Sequence, residues 1–408
     1  MKKTTIQHLF SIPVIVAALG YFVDIYDLLL FGIVRVPSLK DLGLNKEQIS
    51  TIGTDILNWQ MGGLLIGGIL WGILGDKKGR LSVLFGSIIT YSLANIACGF
   101  VQDPTTYALL RFVAGVGLAG ELGAGITLVS EVLPKELRAL GTSLVAGIGL
   151  FGAVFAYFTV QLFTWRYAFF IGGGLGICLL LLRIGVFESG MYKGLKDNKQ
   201  IKKGDFFSFF TDMRRLKIYL KCIGMGLPTW FGIAILMTLS NEFGEKLGIT
   251  EIIDPGFAIM CGYTGIAFGD LFSGALSHYL QSRIKAVSSM MAFTLIMVLI
   301  YLFAGVKSAT ILYTLCGFIG FGQGYWAMFV TIGAEQFGTN LRATAATTIP
   351  NMVRGAVIPM TMIYKFFKPT VGVIEAGAIV GVIVYVIGFY SILTIPETHG
   401  RDLDFLEE

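Results

Sequence analysis

Long apolar stretches separated by short polar ones run the length of the chain. Windows of about 20 or more mainly apolar residues, each able to cross the hydrocarbon of a bilayer as a helix, fall at 12–34, 51–75, 81–101, 104–132, 138–164, 165–187, 216–241, 256–280, 286–304, 308–335, 343–364 and 371–395. These are twelve spans, and the one long polar interruption, 188–215, divides them six and six. The two halves also echo each other in their charges. Glu131-x-x-Pro-Lys-Glu-Leu-Arg138 returns 204 positions later as Glu335-x-x-Gly-Thr-Asn-Leu-Arg342, each time at the end of an apolar span. An internal repeat of this kind in a membrane chain points to rocker-type transport, in which two halves move around a site between them. The pattern therefore predicts an all-α membrane protein: twelve transmembrane helices in two pseudo-symmetric six-helix halves, 1–187 and 216–395, with a hinge at 188–215 and a tail at 396–408.

Composition agrees with the pattern. Hydrophobic residues make up 55% of the chain and charged residues 14%, with a mean hydropathy of +0.75, too little polar surface for a soluble domain. The 53 glycines suit helices that pack backbone to backbone in lipid. With the N-terminus inside, about 21 basic residues fall on inner segments against about 8 on outer loops, so both termini are expected to be cytoplasmic. The net charge of +5 then reflects topology, and no nucleic-acid partner is expected. The bilayer itself is the expected surrounding, as an integral protein of a bacterial inner membrane working as a monomer. In the hinge, Phe206, Phe207, Phe209 and Phe210 are predicted to share one side of a short helix against the inner leaflet, beside Asp212, Arg214 and Arg215.

Residues 1–11 are too short to hold a cleavable signal, so the first span is the expected insertion signal. Cys98, Cys178, Cys222, Cys261 and Cys316 have no metal-like spacing and are read as packing residues, with no metal or cofactor expected. His8, His278 and His399 lie near the inner ends of spans, which excludes a histidine relay at the membrane centre. No nucleophile–base or metal cluster suggests an enzyme.

Charges within the spans carry the chemistry, because each one is costly in hydrocarbon. Asp24 and Asp27 are three residues apart in the first span and so share a helix face. Arg111 and Glu121 lie about 15 Å apart along the fourth span at 1.5 Å per residue. Asp270 lies in the eighth span, and Arg354 in the eleventh beside Asn351, Pro350 and Pro359. Two readings stand for these groups: buried ion pairs such as Arg111 with a first-span Asp, or carboxyls that load and release protons. The second follows if acids outnumber bases near the midplane, which leaves at least one carboxylate without a permanent cation. Asp27 and Glu121 are then the leading proton-coupling candidates, followed by Asp24, with Arg111 tuning them and Arg354 held for a solute anion.

The loop Gly75-Asp76-Lys77-Lys78-Gly79-Arg80 resembles the signature between helices two and three of the major facilitator superfamily. Arg111-x-x-x-Gly115-x-x-x-x-Gly120-Glu121-x-Gly123-Ala124, Asp24-x-Tyr26-Asp27, Trp165-Arg166 and Arg183 with Glu188-Ser189 are similar to its metabolite:proton symporters, and Pro396-Glu397-Thr398-x-Gly400-Arg401 to the sugar-porter tail. Asp24-x-Tyr26-Asp27 is shared with phosphate:proton symporters. The resemblance covers essentially the whole chain. It implies the major facilitator fold and a cytoplasmic latch in which Asp76 docks on the start of helix eleven, Arg80 and Arg138 bind Glu131, and Glu335 with Arg342 forms the second-half counterpart. It also implies a cavity for which Asn58, Trp59, Gln60, Gln161, Trp230, Tyr263, Gln323, Tyr325, Trp326 and Arg354 are candidate lining groups. Pro228-Thr229-Trp230-Phe231-Gly232 resembles a break in helix seven.

The expected function is secondary active transport by alternating access: a small polar or anionic organic metabolite imported with protons. The alternatives are a proton-coupled antiporter exporting a cation, a phosphate- or sugar-type symporter, and a solute sensor that does not transport.

Overall fold

A computed structural model describes residues 11–78, 80–121, 133, 138–188, 206–338 and 341–399. Contacts divide the chain into two compact units, residues 1–31 with 37–206, and residues 32–36 with 207–408. The first unit contains α1 (Ile12–Asp41, apart from 32–36), α2 (Lys46–Lys78), α3 (Arg80–Cys98), α4 (Pro104–Leu118), α5 (Arg138–Leu162) and α6 (Trp165–Glu188). The second contains the one-turn α7 (Ser208–Thr211), α8 (Met213–Phe231), a π-helical turn (Gly232–Met237), α9 (Ser240–Leu247), α10 (Pro255–Leu280), α11 (Arg283–Phe303), α12 (Ala309–Gln323), α13 (Trp326–Glu335), α14 (Arg342–Gly355), α15 (Val357–Val371) and α16 (Val373–Thr394).

The helices start where short acceptors meet proline. Asp103 accepts the N–H of Thr106 at 2.8 Å ahead of Pro104, and Asp254 accepts that of Gly256 at 2.8 Å ahead of Pro255. Each proline fills a first-turn position whose own N–H would have no partner. The acidic caps therefore fix the same point, the start of a span, in both units.

Packing repeats between the units as well. In the first, α2 lies so close to α4 that a Cβ on Gly63 or Gly67 would strike the carbonyls of Phe112 and Val116. In the second, α10 approaches α12 in the same way, with Gly265 on the carbonyl of Gly317 and Gly269 on that of Phe321. Both glycine pairs are four residues apart, one turn of helix, and lie 202 positions from each other. Without a Cβ the backbones close to van der Waals contact, the main source of helix association where lipid offers no hydrophobic drive.

Nine helices among the described residues are long and apolar enough to cross a membrane. The remaining three of the twelve spans are short in description or broken. The described part of α3 beyond its first turn is Val83–Cys98, α4 is described as 15 residues, and the eleventh span is two helices of 14 and 15 residues. The arrangement is the expected all-α twelve-span fold, with four differences from the sequence reading. The first helix continues seven residues beyond 34, through Pro37 to Asp41, and buries Arg35 completely. The break expected in the seventh span at Pro228–Gly232 is a widening: the α-helix runs through Pro228 to Phe231 and continues as the π turn Gly232–Met237. The tenth and eleventh spans are interrupted, at Gly324-Tyr325 and at Ala356. Pro359 adds to the second interruption by withholding an N–H from the carbonyl of Gly355. In the hinge, the expected shared aromatic face is absent: Phe206 and Phe209 are buried, Phe209 stacking on Tyr219 at 4.7 Å, while Phe207 and Phe210 are exposed. A single turn of helix cannot turn four phenylalanines the same way.

Candidate functional site

Each unit holds a buried polar cluster. In the first, Arg111 of α4 is wholly buried, and among the described residues its bonds go to neutral acceptors: Nε to Gln60 Oε1 at 3.3 Å, Nη1 to Asn95 Oδ1 at 2.7 Å and Nη2 to the backbone carbonyl of Asp27 at 3.1 Å. Its guanidinium also lies 5.4 Å from the ring of Phe169. Gln60 is itself fixed, donating to the carbonyl of Leu28 at 2.8 Å. Arg111 thus makes no ion pair with either first-helix carboxylate. Asp27 is completely buried, and neither of its carboxylate oxygens receives a hydrogen bond among the described residues. Its Oδ1 lies against Gly172 of α6, where a Cβ would collide with it. Asp24, one turn earlier on the same helix, is also completely buried.

Glu121 is placed differently. It is engaged from both sides by Arg183 of α6, Nη1 to Oε2 at 3.0 Å and Nη2 to Oε1, in a pair that is almost wholly buried. Gly20 makes room for it, since a Cβ there would meet both Arg183 and Glu121. A two-pronged guanidinium–carboxylate pair in low dielectric is a fixed structural charge. The Asp27 carboxylate, by contrast, accepts no hydrogen bond among the described residues.

In the second unit, Arg354 of α14 is 1% exposed. Its Nη1 donates to Asn351 Oδ1 at 3.3 Å, its Nε has no acceptor, and its guanidinium lies 5.8 Å from the ring of Trp230. Among the described residues no carboxylate pairs with it. Gln323, at the end of α12, donates through Nε2 to the carbonyl of Pro228 at 3.2 Å, and its Oε1 is buried without a partner. Tyr325 donates its hydroxyl to the carbonyl of Met225 at 3.2 Å, and Trp326 packs on Phe329 at 4.8 Å. Tyr263 is buried on α10. The interruptions of the tenth and eleventh spans thus bring Gln323, Tyr325 and Arg354 around the proline-containing turn of the seventh.

Other sequence-predicted lining residues lie elsewhere. Trp59 is 49% exposed and lines a cavity of about 250 Å³ with Asp55, Pro104 and Thr105. Asn58 is half-buried on α2, and Gln161 is exposed near the end of α5. Of the latch residues, Glu131 lies outside the described residues, as do the side chains of Asp76, Arg80 and Arg138. Glu335 is described, and it is engaged by Nη1 of Arg283, the first residue of α11. Arg342 is half-buried at the start of α14.

Sequence reasoning missed Arg283, although it stands 203 positions after Arg80 and so is the second-half echo of that loop base. It also missed the use made of Glu397. This tail carboxylate accepts the hydroxyl of Ser282 and the N–H groups of Arg283 and Ile284, both at 3.2 Å, at the start of α11. Burial works to raise the Glu397 carboxyl, but the bonds from Ser282, His399, Ile284 and Arg283 outweigh it and hold the group below the usual carboxylate range. Arg35 was also missed, because the first span was ended one residue too soon. Grouped with the second unit, it donates to the carbonyl of Thr238 at 3.0 Å and to Asn241 at 3.1 Å, 4.0 Å from Glu242, which also binds Lys368 at 2.6 Å.

The sequence matches the Major Facilitator Superfamily over residues 17–360. It is 26% identical to the cis,cis-muconate transport protein of Acinetobacter baylyi over 96% of this chain and 95% of that one. It is 25% identical to the gentisate transporter of Corynebacterium glutamicum over 79% of this chain and 73% of that one. Among solved structures, the proton:xylose symporter XylE bound to 6-bromo-6-deoxy-D-glucose superposes with a TM-score of 0.69 at 15% identity, covering 97% of this chain and 98% of that one. The fold, the glycine-mediated helix pairs and the family match agree: the chain is an integral, multi-pass membrane transporter, not an enzyme, and belongs to the Major Facilitator Superfamily.

Proposed function

We propose that the protein is a proton-coupled symporter that imports a small, planar organic carboxylate by alternating access, with both termini on the cytoplasmic side. The observation that carries this reading is Arg354: a buried cation with an unused Nε–H and no carboxylate partner among the described residues. A charge kept in that state is costly unless an anion completes it during the working cycle. Trp230 adds an aromatic face, and Gln323 an unused acceptor, so the same locality suits a conjugated acid that carries a hydroxyl. Gentisate is such an acid, and a relative that covers most of this chain is named for it.

Asp27 is the proton carrier of the proposal, since it is buried and its carboxylate oxygens receive no hydrogen bond among the described residues, with Arg111 bound to its backbone carbonyl and not to its carboxylate, whereas Glu121 is held by Arg183. Asp24 shares its helix face and would add a second titrating group coupled to the first. Export of a cation is disfavoured by the same geometry, because it would bring like charge to Arg354.

The test is uptake of labelled gentisate and benzoate into proteoliposomes under an inward-directed pH gradient, with a neutral sugar and a quaternary ammonium compound as comparators. Accumulation of a carboxylate that collapses on adding a protonophore is expected. Accumulation of the cation or the sugar alone would overturn the assignment of solute class, and carboxylate uptake indifferent to the gradient would overturn the coupling.

A further inference from the structure

The first N–H groups of a helix have no partner within it, and α13 starts inside a span, where water is scarce. Its N-cap residue is Tyr325, whose side chain makes no capping bond and donates instead to the carbonyl of Met225. The acceptor comes from another helix. Asp270 of α10 takes the N–H of Ala327 on Oδ1 at 3.1 Å, across 57 residues of sequence. Its Oδ2 is buried and has no hydrogen bond, and no ion pair to it occurs among the described residues. Approach this close depends on the helix pair: Gly269 lies on the carbonyl of Phe321, and Gly324 against the backbone of Gly269 and Asp270.

We propose that Asp270 is a positioning residue for solute binding, the long-range cap that fixes the break between α12 and α13. That break carries Gln323 and Tyr325, whose side chains reach the carbonyls of Pro228 and Met225 beside Trp230. Removing the cap leaves the N–H of Ala327 unpaired in a poorly hydrated interior, and the break relaxes until another acceptor is found. The Gln323 amide and the Tyr325 hydroxyl shift with it. Asp270 acts through these groups and need not touch the solute. The inference rests on the proposed carboxylate transport for its link to binding, but the cap itself does not depend on it.

The experiment uses the full chain in detergent and three variants. Asp270→Ala removes the acceptor, Asp270→Asn keeps an acceptor of the same length, and Ala327→Pro deletes the donor in the first helical turn, where proline is tolerated. Amide exchange over 324–329 is read without solute, and gentisate binding is read by thermal shift. Asp270→Ala is expected to speed exchange in that segment and to weaken gentisate binding, each by about tenfold, the factor that loss of one such bond corresponds to. Asp270→Asn is expected to restore both to near wild type, and Asp270→Ala combined with Ala327→Pro to bind no worse than either alone. Unchanged exchange in Asp270→Ala would overturn the cap. So would Asp270→Asn behaving like Asp270→Ala, because the charge and not the acceptor would then matter. Altered exchange with wild-type gentisate affinity would overturn the positioning role. Failure of the wild type to bind gentisate counts against the proposed solute, while the exchange data still decide the cap.

Discussion

Asp27 and Glu121 were indistinguishable in the sequence, two acids inside apolar spans, and the structure separates them by their neighbours. The Asp27 carboxylate accepts no hydrogen bond among the described residues, whereas Glu121 has Arg183. Asp27→Asn, which keeps the shape and removes the titrating group, is therefore expected to abolish uptake driven by a pH gradient while preserving solute exchange across the membrane; normal gradient-driven accumulation would remove Asp27 from the proton path. Glu121→Gln is expected to act on folding first, because it leaves Arg183 buried without its counter-ion, a loss of about 3–5 kcal/mol, read as a lower melting temperature. Adding Arg183→Gln should recover most of that loss. A stable Glu121→Gln protein that has lost only its pH dependence would return Glu121 to the list of proton carriers. Arg354→Lys is expected to weaken carboxylate binding by about tenfold or more at nearly unchanged stability, since an ammonium cannot present paired N–H donors. Binding equal to wild type would make Arg354 a structural group. The charges themselves were legible because hydrocarbon makes them rare. Their partners were not, since Arg183 lies 62 residues from Glu121 and nothing in a helical period says which faces will meet.

At the scale of elements, starts were more legible than ends and interruptions. The fourth and eighth spans, read from 104 and 256, start at Pro104 and Pro255, where Asp103 and Asp254 cap them by local chemistry alone. The end of α1 was missed because Arg35 and Pro37 look like a stop, yet the carbonyl of Thr238 and the amide of Asn241 satisfy the arginine. The break at Gly324-Tyr325 depends on an acceptor from α10, and so was invisible to a local reading. The tail is a further case. A proline and a glycine flank Glu397-Thr398-His399, which reads as a loop, but Glu397 ties that loop to the first turn of α11. Because its folded carboxyl is held below the ordinary value, its contribution to stability is fully present above about pH 4.3, the unfolded glutamate value, and is lost as pH falls through the lower folded value. Amide exchange at 397–399 and 282–285 is therefore expected to stay slow at neutral pH and to rise together below about pH 4. Glu397→Gln should show the faster exchange already at neutral pH. Exchange independent of both acid and the substitution would mean that the tail is held by Gln336, which donates to the carbonyl of Pro396.

For the whole molecule, the repeat was the most legible feature of the sequence, and it extends further into the structure than the charges that first exposed it. The glycine-mediated pairs of α2 with α4 and α10 with α12 are the same contact made twice, about 202 positions apart. The sequence reading paired Glu335 with Arg342; among the described residues Glu335 is engaged by Arg283, and that pair maps in the sequence onto Arg80 and Glu131 at offsets of 203 and 204. If duplication preserved the chemistry as well as the fold, the two pairs should be energetically equivalent. Double-mutant cycles on Arg283→Ala with Glu335→Ala, and on Arg80→Ala with Glu131→Ala, are expected to give coupling energies of the same sign, each about 0.5–3 kcal/mol by thermal unfolding, with a parallel loss of uptake in the singles. Each cycle tests one unit by itself, so neither depends on how the units are arranged. Coupling in the second unit with none in the first would mean that Arg80 and Glu131 serve insertion and not structure, and the repeat would then be one of fold alone. Equal coupling in both, accompanied by uptake that recovers in neither double variant, would show that each pair is needed as a charge during the transport cycle and not only as a clasp.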